Sequence, residues 1–208
     1  LSHPELKIAA TNVGSLGGLL ALGRGETHIG GTHLLDTESG VYNIADIKKT
    51  IPKVPLVLVH LAQREQGILA ARGNPKSISG LKDITKAGIR FVNRQSGSGT
   101  RVLLDHELKK LGIHPAMITG YEREEFTHMA VGVAIASDLA DMGLGVRAAA
   151  TALGLDFLSV ASEQYDLLIA RPFYESERGA KLMRIICSAG FKQAVAQLGG
   201  FDSTRAGA

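Results

Sequence analysis

The sequence predicts an α/β fold in two lobes. Short apolar runs alternate with amphipathic segments along the whole chain, the pattern of strands that take turns with helices. Two apolar stretches, Leu56–Ala71 and Tyr165–Arg171, have the length to run from one lobe to the other. Glycine supplies 25 of the 208 residues, enough for many tight turns and close backbone approaches. The second lobe is then an insertion over residues 63–163, and residues 1–62 with 164–208 make the first. Short strands followed by helices imply parallel pairing.

From the N-terminus, Pro4–Leu6 resembles the tail of a helix and "KIAATNV" a strand. "GSLGGLLALGRGE" is a glycine-containing turn and a short helix, "THIGGTHLL" a second strand and "TESGVYN" a polar loop. "VPLVLVHLAQREQGILAARGNP" is the long apolar stretch, closed by Gly-Asn-Pro. Ser79 is placed to cap a short helix in "SISGLKDITKAG". "IRFVN" is the next strand. In "RVLLDHELKKLG", Leu104, Leu108 and Leu111 recur at helical spacing and Gly112 suits the residue just past the C-terminus. "FTHMAVGVAIASDLA" is a helix capped by Thr127 or a neighbour. "DMGLGV", "LDFLSV" and "YDLLIAR" are strands, and "ERGAKLMRIICSAGFKQAVAQLGG" is one closing helix with Cys187 in its apolar face.

Composition excludes several classes. The chain is 45% hydrophobic and 5% aromatic, ordinary for a globular protein and wrong for a disordered one. A formal charge of +3 is too small to argue for nucleic acid but suits a protein that attracts small anions. A single cysteine excludes an intrachain disulfide and a cysteine-based zinc site. No apolar run approaches the length of a membrane span, and "LSHPELKIAA" has no signal-peptide pattern.

Three loops share one design, in which a strand ends, a glycine or hydroxyl turn follows and a helix begins: "TNVGSLGG", "NRQSGSGTR" and "EEFTHMAV". Helix N-termini expose unpaired N–H groups with partial positive charge and bind anions. Ser15, Ser98, Thr100 and Thr127 add hydroxyls, while Gly97 and Gly99 let a ligand approach the backbone. Arg94 and Arg101 would add charge and paired donors for an oxyanion. Capping alone accounts for an isolated Ser or Thr at such a position. The density of small polar residues and arginines in "RQSGSGTR" exceeds that need. "GSLGG" lacks the GxGxxG spacing and "SGSGT" lacks the lysine of a Walker loop, which argues against a nucleotide. Ser98, His128 and Asp141 could make a hydrolytic triad, but no GxSxG elbow supports one. His33 and His128 stand without metal-ligand spacing, so no metal is expected. Tyr165 and Arg147 fit either packing or a ligand.

The stretches "NVGSLGGLLAL", "HIGGTHLLD", "REQGILAARGNP", "RFVNRQSGSGTRVLLD", "THMAVGVAIAS" and "LDFLSVASEQYDLLIAR" together resemble the periplasmic-binding-protein-like domain associated with molybdate, related to the molybdate and tungstate binding proteins of ABC transporters. The resemblance covers nearly the whole chain, and the Arg-Gly-Ser-Thr block is its most specific part. It implies a type II binding-protein fold of two α/β lobes joined by two crossover strands, with a ligand cleft between them. It implies a non-catalytic domain that binds an oxyanion, molybdate or tungstate, without any other cofactor. By position, Gly14 and Ser15 serve from the first lobe. Arg94, Ser98, Gly99, Thr100 and Arg101 serve from the second, with Thr127 and His128 at the next helix start. Gly145 and Val146 stand where transporter-type carriers often place a tyrosine.

Such domains begin with a strand upstream of "KIAATNV", so the first lobe is expected to lack one. They occur alone, behind a helix-turn-helix domain, or behind a molybdopterin-synthesis domain. The abrupt start favours a fused form and hence the cytoplasm, with the periplasm as the alternative, and a role as sensor or delivery module in molybdenum metabolism without direct nucleic-acid contact. The alternatives are a small organic anion as ligand, or an enzyme acting on an anionic substrate with His128 as base.

Overall fold

The computed structural model describes residues 6–36 and 38–208. In chain order the elements are α1 (Gly14–Gly23), β1 (Ile29–Thr32), α2 (Ile44–Thr50), β2 (Leu56–Ala70), β3 (Phe91–Arg94), α3 (Gly99–Leu111), β4 (Glu124–Glu125), α4 (His128–Ala136), β5 (Met142–Val146), α5 (Arg147–Leu153), β6 (Asp156–Ala170), α6 (Arg171–Tyr174), α7 (Glu177–Cys187), α8 (Ala189–Gln197) and β7 (Phe201–Asp202). Short 3-10 helices stand at Leu81–Thr85 and Pro115–Met117. The chain divides into two compact units, Leu1–Gln63 with Gln164–Ala208, and Arg64–Glu163. β2 and β6 each pass from one unit to the other.

In the first unit β1 pairs antiparallel with the C-terminal half of β6, Ile29 opposite Ile169 and Thr32 opposite Asp166. Leu19 and Leu22 of α1 pack with Leu34, Ile51 and Leu168. Leu182 and Ile186 of α7 pack with Val59 and Ile169. A buried polar network ties the unit together. The Asn43 side chain accepts from the Leu34 amide at 2.8 Å and the Thr32 hydroxyl at 2.9 Å, and donates to Asp166 at 2.8 Å. Asp166 also meets His60 Nδ1 at 3.0 Å.

In the second unit β5 lies between β2, antiparallel to it, and β3, parallel to it. β4 pairs parallel with the other edge of β3. One face of this sheet packs on α3 through Ile68, Ala70, Phe91, Leu104, Leu108, Met142 and Leu144. The other packs on α4 and α5 through Leu69, Val92, Val131, Ile135 and Ala149. Gly143 is required there, because a Cβ on it would stand 2.6 Å from a Val131 methyl and 2.8 Å from the Val92 carbonyl oxygen.

Several expectations are corrected. "KIAATNV" forms no strand: residues 7–13 are exposed and unpaired in any ladder, and an extended segment without a partner has nothing to hold it as sheet. The helix tail over Pro4–Leu6 lies outside the described residues except Leu6, which is not helical. Pairing is mixed rather than parallel, since each unit-crossing strand has an antiparallel neighbour. "LDFLSV" and "YDLLIAR" belong to one strand of 15 residues, the polar "ASEQ" between them included. The closing helix breaks at Ser188, which leaves the helical conformation at ψ 147° and caps α8 by accepting from the Phe191 amide at 3.2 Å. Cys187 is exposed, not core. Ser79 caps nothing, and instead its amide and hydroxyl donate to Asp83 at 2.6 and 2.9 Å. The short helices α2 and α5 fall where the sequence suggests no element.

Candidate functional site

Helices α3, α4 and α5 all start from the C-terminal ends of the parallel strands β3, β4 and β5. In open α/β sheets ligands gather at that end, where helix N-termini converge. Gln95 to Ser98 make the turn out of β3, closed by the Ser98 amide donating to the Gln95 carbonyl at 3.2 Å. Gly97 sits in it at φ 80°, a left-handed conformation that glycine adopts without strain.

Ser98 is buried and caps α3, its hydroxyl oxygen accepting from the Arg101 amide at 3.2 Å. The Val102 amide donates to the Ser98 carbonyl at 3.0 Å. The first-turn donors left over are the amides of Gly99 and Thr100. Thr100 is 1% exposed, and its Oγ1 has no hydrogen-bond partner among the described residues. A buried hydroxyl without a partner costs about 1–3 kcal/mol, so this one calls for an occupant beside it. Thr127 caps α4, accepting from the Ala130 amide at 2.9 Å, and His128 is the first helical residue. A Cβ on Gly145 would stand 3.7 Å from His128 Nδ1, which places His128 beside the end of β5.

The two arginines have protein partners. Arg94 donates to the backbone oxygens of Glu125 at 3.2 Å and Phe126 at 3.1 Å, and to the Gln95 side chain at 3.1 Å. It therefore pins the loop that carries Thr127. Arg101 donates to Asp105 at 3.2 Å and Glu124 at 3.0 Å, and its guanidinium stacks on Tyr121 at 4.1 Å. Its charge is compensated by two carboxylates. In the first unit Gly14 opens α1 at φ 72°, and the buried Ser15 hydroxyl meets His33 Nδ1 at 2.9 Å and accepts from the His33 amide at 3.3 Å. Tyr165 stacks on His33, ring centroids 5.6 Å apart. Arg147 pairs with Glu65 and lies over the Phe157 ring, so packing accounts for it.

The triad is excluded by position. Asp141 precedes β5 and is held by Arg90, which donates to it from the backbone at 2.7 Å and the side chain at 3.0 Å, whereas His128 stands near the other end of that strand. Among the described residues no group of three or more His, Cys, Asp or Glu side chains could hold a metal. A depression lined by Asn74, Arg147, Thr151, Asp156 and Phe157 contains Arg147 alone of the residues singled out from the sequence.

Sequence reasoning missed a buried cluster on the unit-crossing strands. Glu163, 2% exposed, accepts from Arg64 Nε on one oxygen and from Gln66 Nε2 on the other. Burial pushes the Glu163 carboxyl up, against the pull of Arg64. Arg94 is close enough to feel both: burial, then the Arg64 charge, lowers its pKa to about 10. Arg64, Arg94 and Glu163 are all buried. In the sequence these residues are scattered polar positions in two strands, and the only signal was polar residues interrupting apolar runs.

Residues 1–187 of the chain match a known family, the PBP superfamily domain. The chain belongs to the PBP superfamily. Its PBP-like fold is shared with solved structures at low identity. One, from Clostridium perfringens, is described as a phosphate ABC transporter substrate-binding protein with phosphate bound. It aligns at TM-score 0.65 and 15% identity over 92% of this chain and 85% of that one. Another is the tungstate ABC transporter protein of Geobacter sulfurreducens, at TM-score 0.63 and 16% identity over 89% and 83%. In sequence this PBP domain is 35% identical to YvgK of Bacillus subtilis (strain 168) over 194 residues, 93% of this chain and 62% of that protein. The chain thus spans under two thirds of that relative's length. Among the described residues no helix is long and apolar enough to cross a membrane.

Proposed function

We propose that this chain is a non-catalytic binding domain for a small tetrahedral oxyanion, held at the N-terminus of α3 in the second unit. The observation that carries the reading is Thr100: a buried, partnerless hydroxyl beside the two spare amides of a helix 13 residues long. An anion there completes the hydroxyl's hydrogen bond and gains the helix's positive end. The proteins of similar fold that carry phosphate and tungstate support the ligand class. The resemblance to molybdate-associated domains adds molybdate. Sensing or delivery within a longer protein is the role such a domain would serve.

Calorimetric titration with phosphate, sulfate, molybdate and tungstate tests this. At least one should bind. Thr100→Val, which keeps shape and removes the hydroxyl, should weaken it by about tenfold or more while leaving thermal stability unchanged or slightly raised, since the unliganded protein loses an unsatisfied group. Heat from none of the four anions would sink the reading.

A further inference from the structure

Besides Thr100 Oγ1, a second buried side-chain atom of this unit lacks a partner among the described residues, the carbonyl oxygen Oε1 of Gln66, a residue with 0% exposure. The two lie at the same end of one layer. Alternation along β2 puts Gln66, Ile68 and Ala70 on one face of the sheet. Helical spacing puts Thr100, Leu104 and Leu108 on one stripe of α3. Ile68, Ala70, Leu104 and Leu108 share one core cluster, so that face and that stripe bound the same core. α3 connects the parallel pair β3 and β4 and so runs back against β3, which is the direction of β2. One step back from Ile68 is Gln66, about 7 Å away along the strand. One turn back from Leu104 is Thr100, about 6 Å along the helix. The next layer beyond Ile68 and Leu104 is therefore Gln66 and Thr100.

The amide orientation is set by Glu163. Its carboxylate takes the Gln66 N–H₂ on one oxygen while Arg64 occupies the other. Turning the amide over would face its oxygen against a carboxylate and leave its N–H₂ buried without an acceptor. Gln66 thus presents an acceptor, at the end of the layer where Thr100 and the α3 amides present donors.

We propose that Gln66 determines which oxyanion is held: its Oε1 accepts a hydrogen bond from a proton carried by the ligand, while Thr100 donates to an unprotonated ligand oxygen. This rests on the oxyanion reading above and narrows it. Hydrogen phosphate and hydrogen arsenate keep a proton at neutral pH; sulfate, molybdate and tungstate do not. For the latter three, Gln66 Oε1 would face a bare oxygen with no proton between them, so the site rejects them by an unpaired acceptor rather than by size. Glu163 acts through Gln66 and is a positioning residue. The acceptor therefore favours phosphate over the molybdate or tungstate that the family resemblance suggests.

Titration of the intact chain at pH 7 with all five anions decides it. Phosphate and arsenate should bind at least about tenfold more tightly than sulfate, molybdate and tungstate. Gln66→Leu should bring phosphate down to the level of the others and leave theirs unchanged or improved. The wild-type ranking needs no variant to fold, and sulfate or tungstate binding as tightly as phosphate overturns the proposal on its own. So does a folded Gln66→Leu protein that keeps the phosphate preference, since Oε1 would then only hold a buried water. If none of the five binds, the oxyanion reading itself fails, and this inference with it.

Discussion

At the scale of single residues, the side chains that look most suited to an anion already carry bonds within the protein. Arg94 and Arg101 stand out in the sequence, yet each is engaged by carbonyls or carboxylates of its own unit. Thr100, one small hydroxyl among several, is left without a partner. Ser98 and Thr127 carry out the helix capping their residue types and positions suggest. Residue type reveals what a group can bond to; whether that bond is already made depends on neighbours distant in sequence. Ser79 shows the same point with the roles reversed. It looks like a cap, but it is the donor, and the carboxylate of Asp83 is the acceptor. The Ser79 amide first and Lys86 second lower the Asp83 pKa to about 2. A folded-state pKa below the ordinary value near 3.9 stabilises the fold at pH above that value, and the contribution is lost as pH falls toward 2. Asp83→Asn should therefore destabilise the protein most at pH 7, and urea melts should show the gap from wild type narrowing between pH 5 and pH 3. A gap independent of pH would mean that the charge of Asp83 contributes nothing.

At the scale of elements, strong periodicity was readable and weak periodicity was not. α3 carries Leu104 and Leu108 into the core at helical spacing, with Gly112 past its end at φ 67°, as its sequence predicts. β2 runs over Leu56–Ala70, one residue short of the expected stretch. α2 and α5 are seven residues each, too short for a period of 3.6 to show, and packing rather than propensity forms them. The polar "ASEQ" divides β6 into two strands by sequence pattern, yet it is one strand of 15 residues. Its Glu163 stays in the strand because Arg64 and Gln66 across the layer receive it. The break between α7 and α8 at Ser188 tests the local rule. Ser188→Ala removes the acceptor for the Phe191 amide and should cost about 1 kcal/mol in chemical denaturation. No loss would show that water replaces the cap at that exposed position.

At the scale of the whole molecule, β2 enters the second unit at Arg64 and β6 leaves it at Glu163, and these two residues pair where both are buried. Removing one partner of a buried pair leaves an uncompensated charge, so Glu163→Leu alone should cost about 3–5 kcal/mol, while Arg64→Met added to it should recover most of that. In the unaltered protein a bound anion should raise the unfolding free energy by about 2.7 kcal/mol at a hundredfold excess over Kd. A melting temperature unmoved by any of the tested oxyanions would contradict a site in the folded state.

By itself the sequence determined the α/β class, the long strand over Leu56–Ala70, and the hydroxyl-rich turn feeding α3, because each is written in local pattern: apolar period, glycine at a turn, a cap before a helix. Only the tertiary structure decided that Arg94 and Arg101 bond within the protein, that Thr100 Oγ1 and Gln66 Oε1 find no partner among the described residues, and that Glu163 aims the Gln66 amide. The physical reason is that a polar atom's availability is what remains after its neighbours have taken their hydrogen bonds. Those neighbours come from segments nearly a hundred residues apart, as with Gln66 and Glu163.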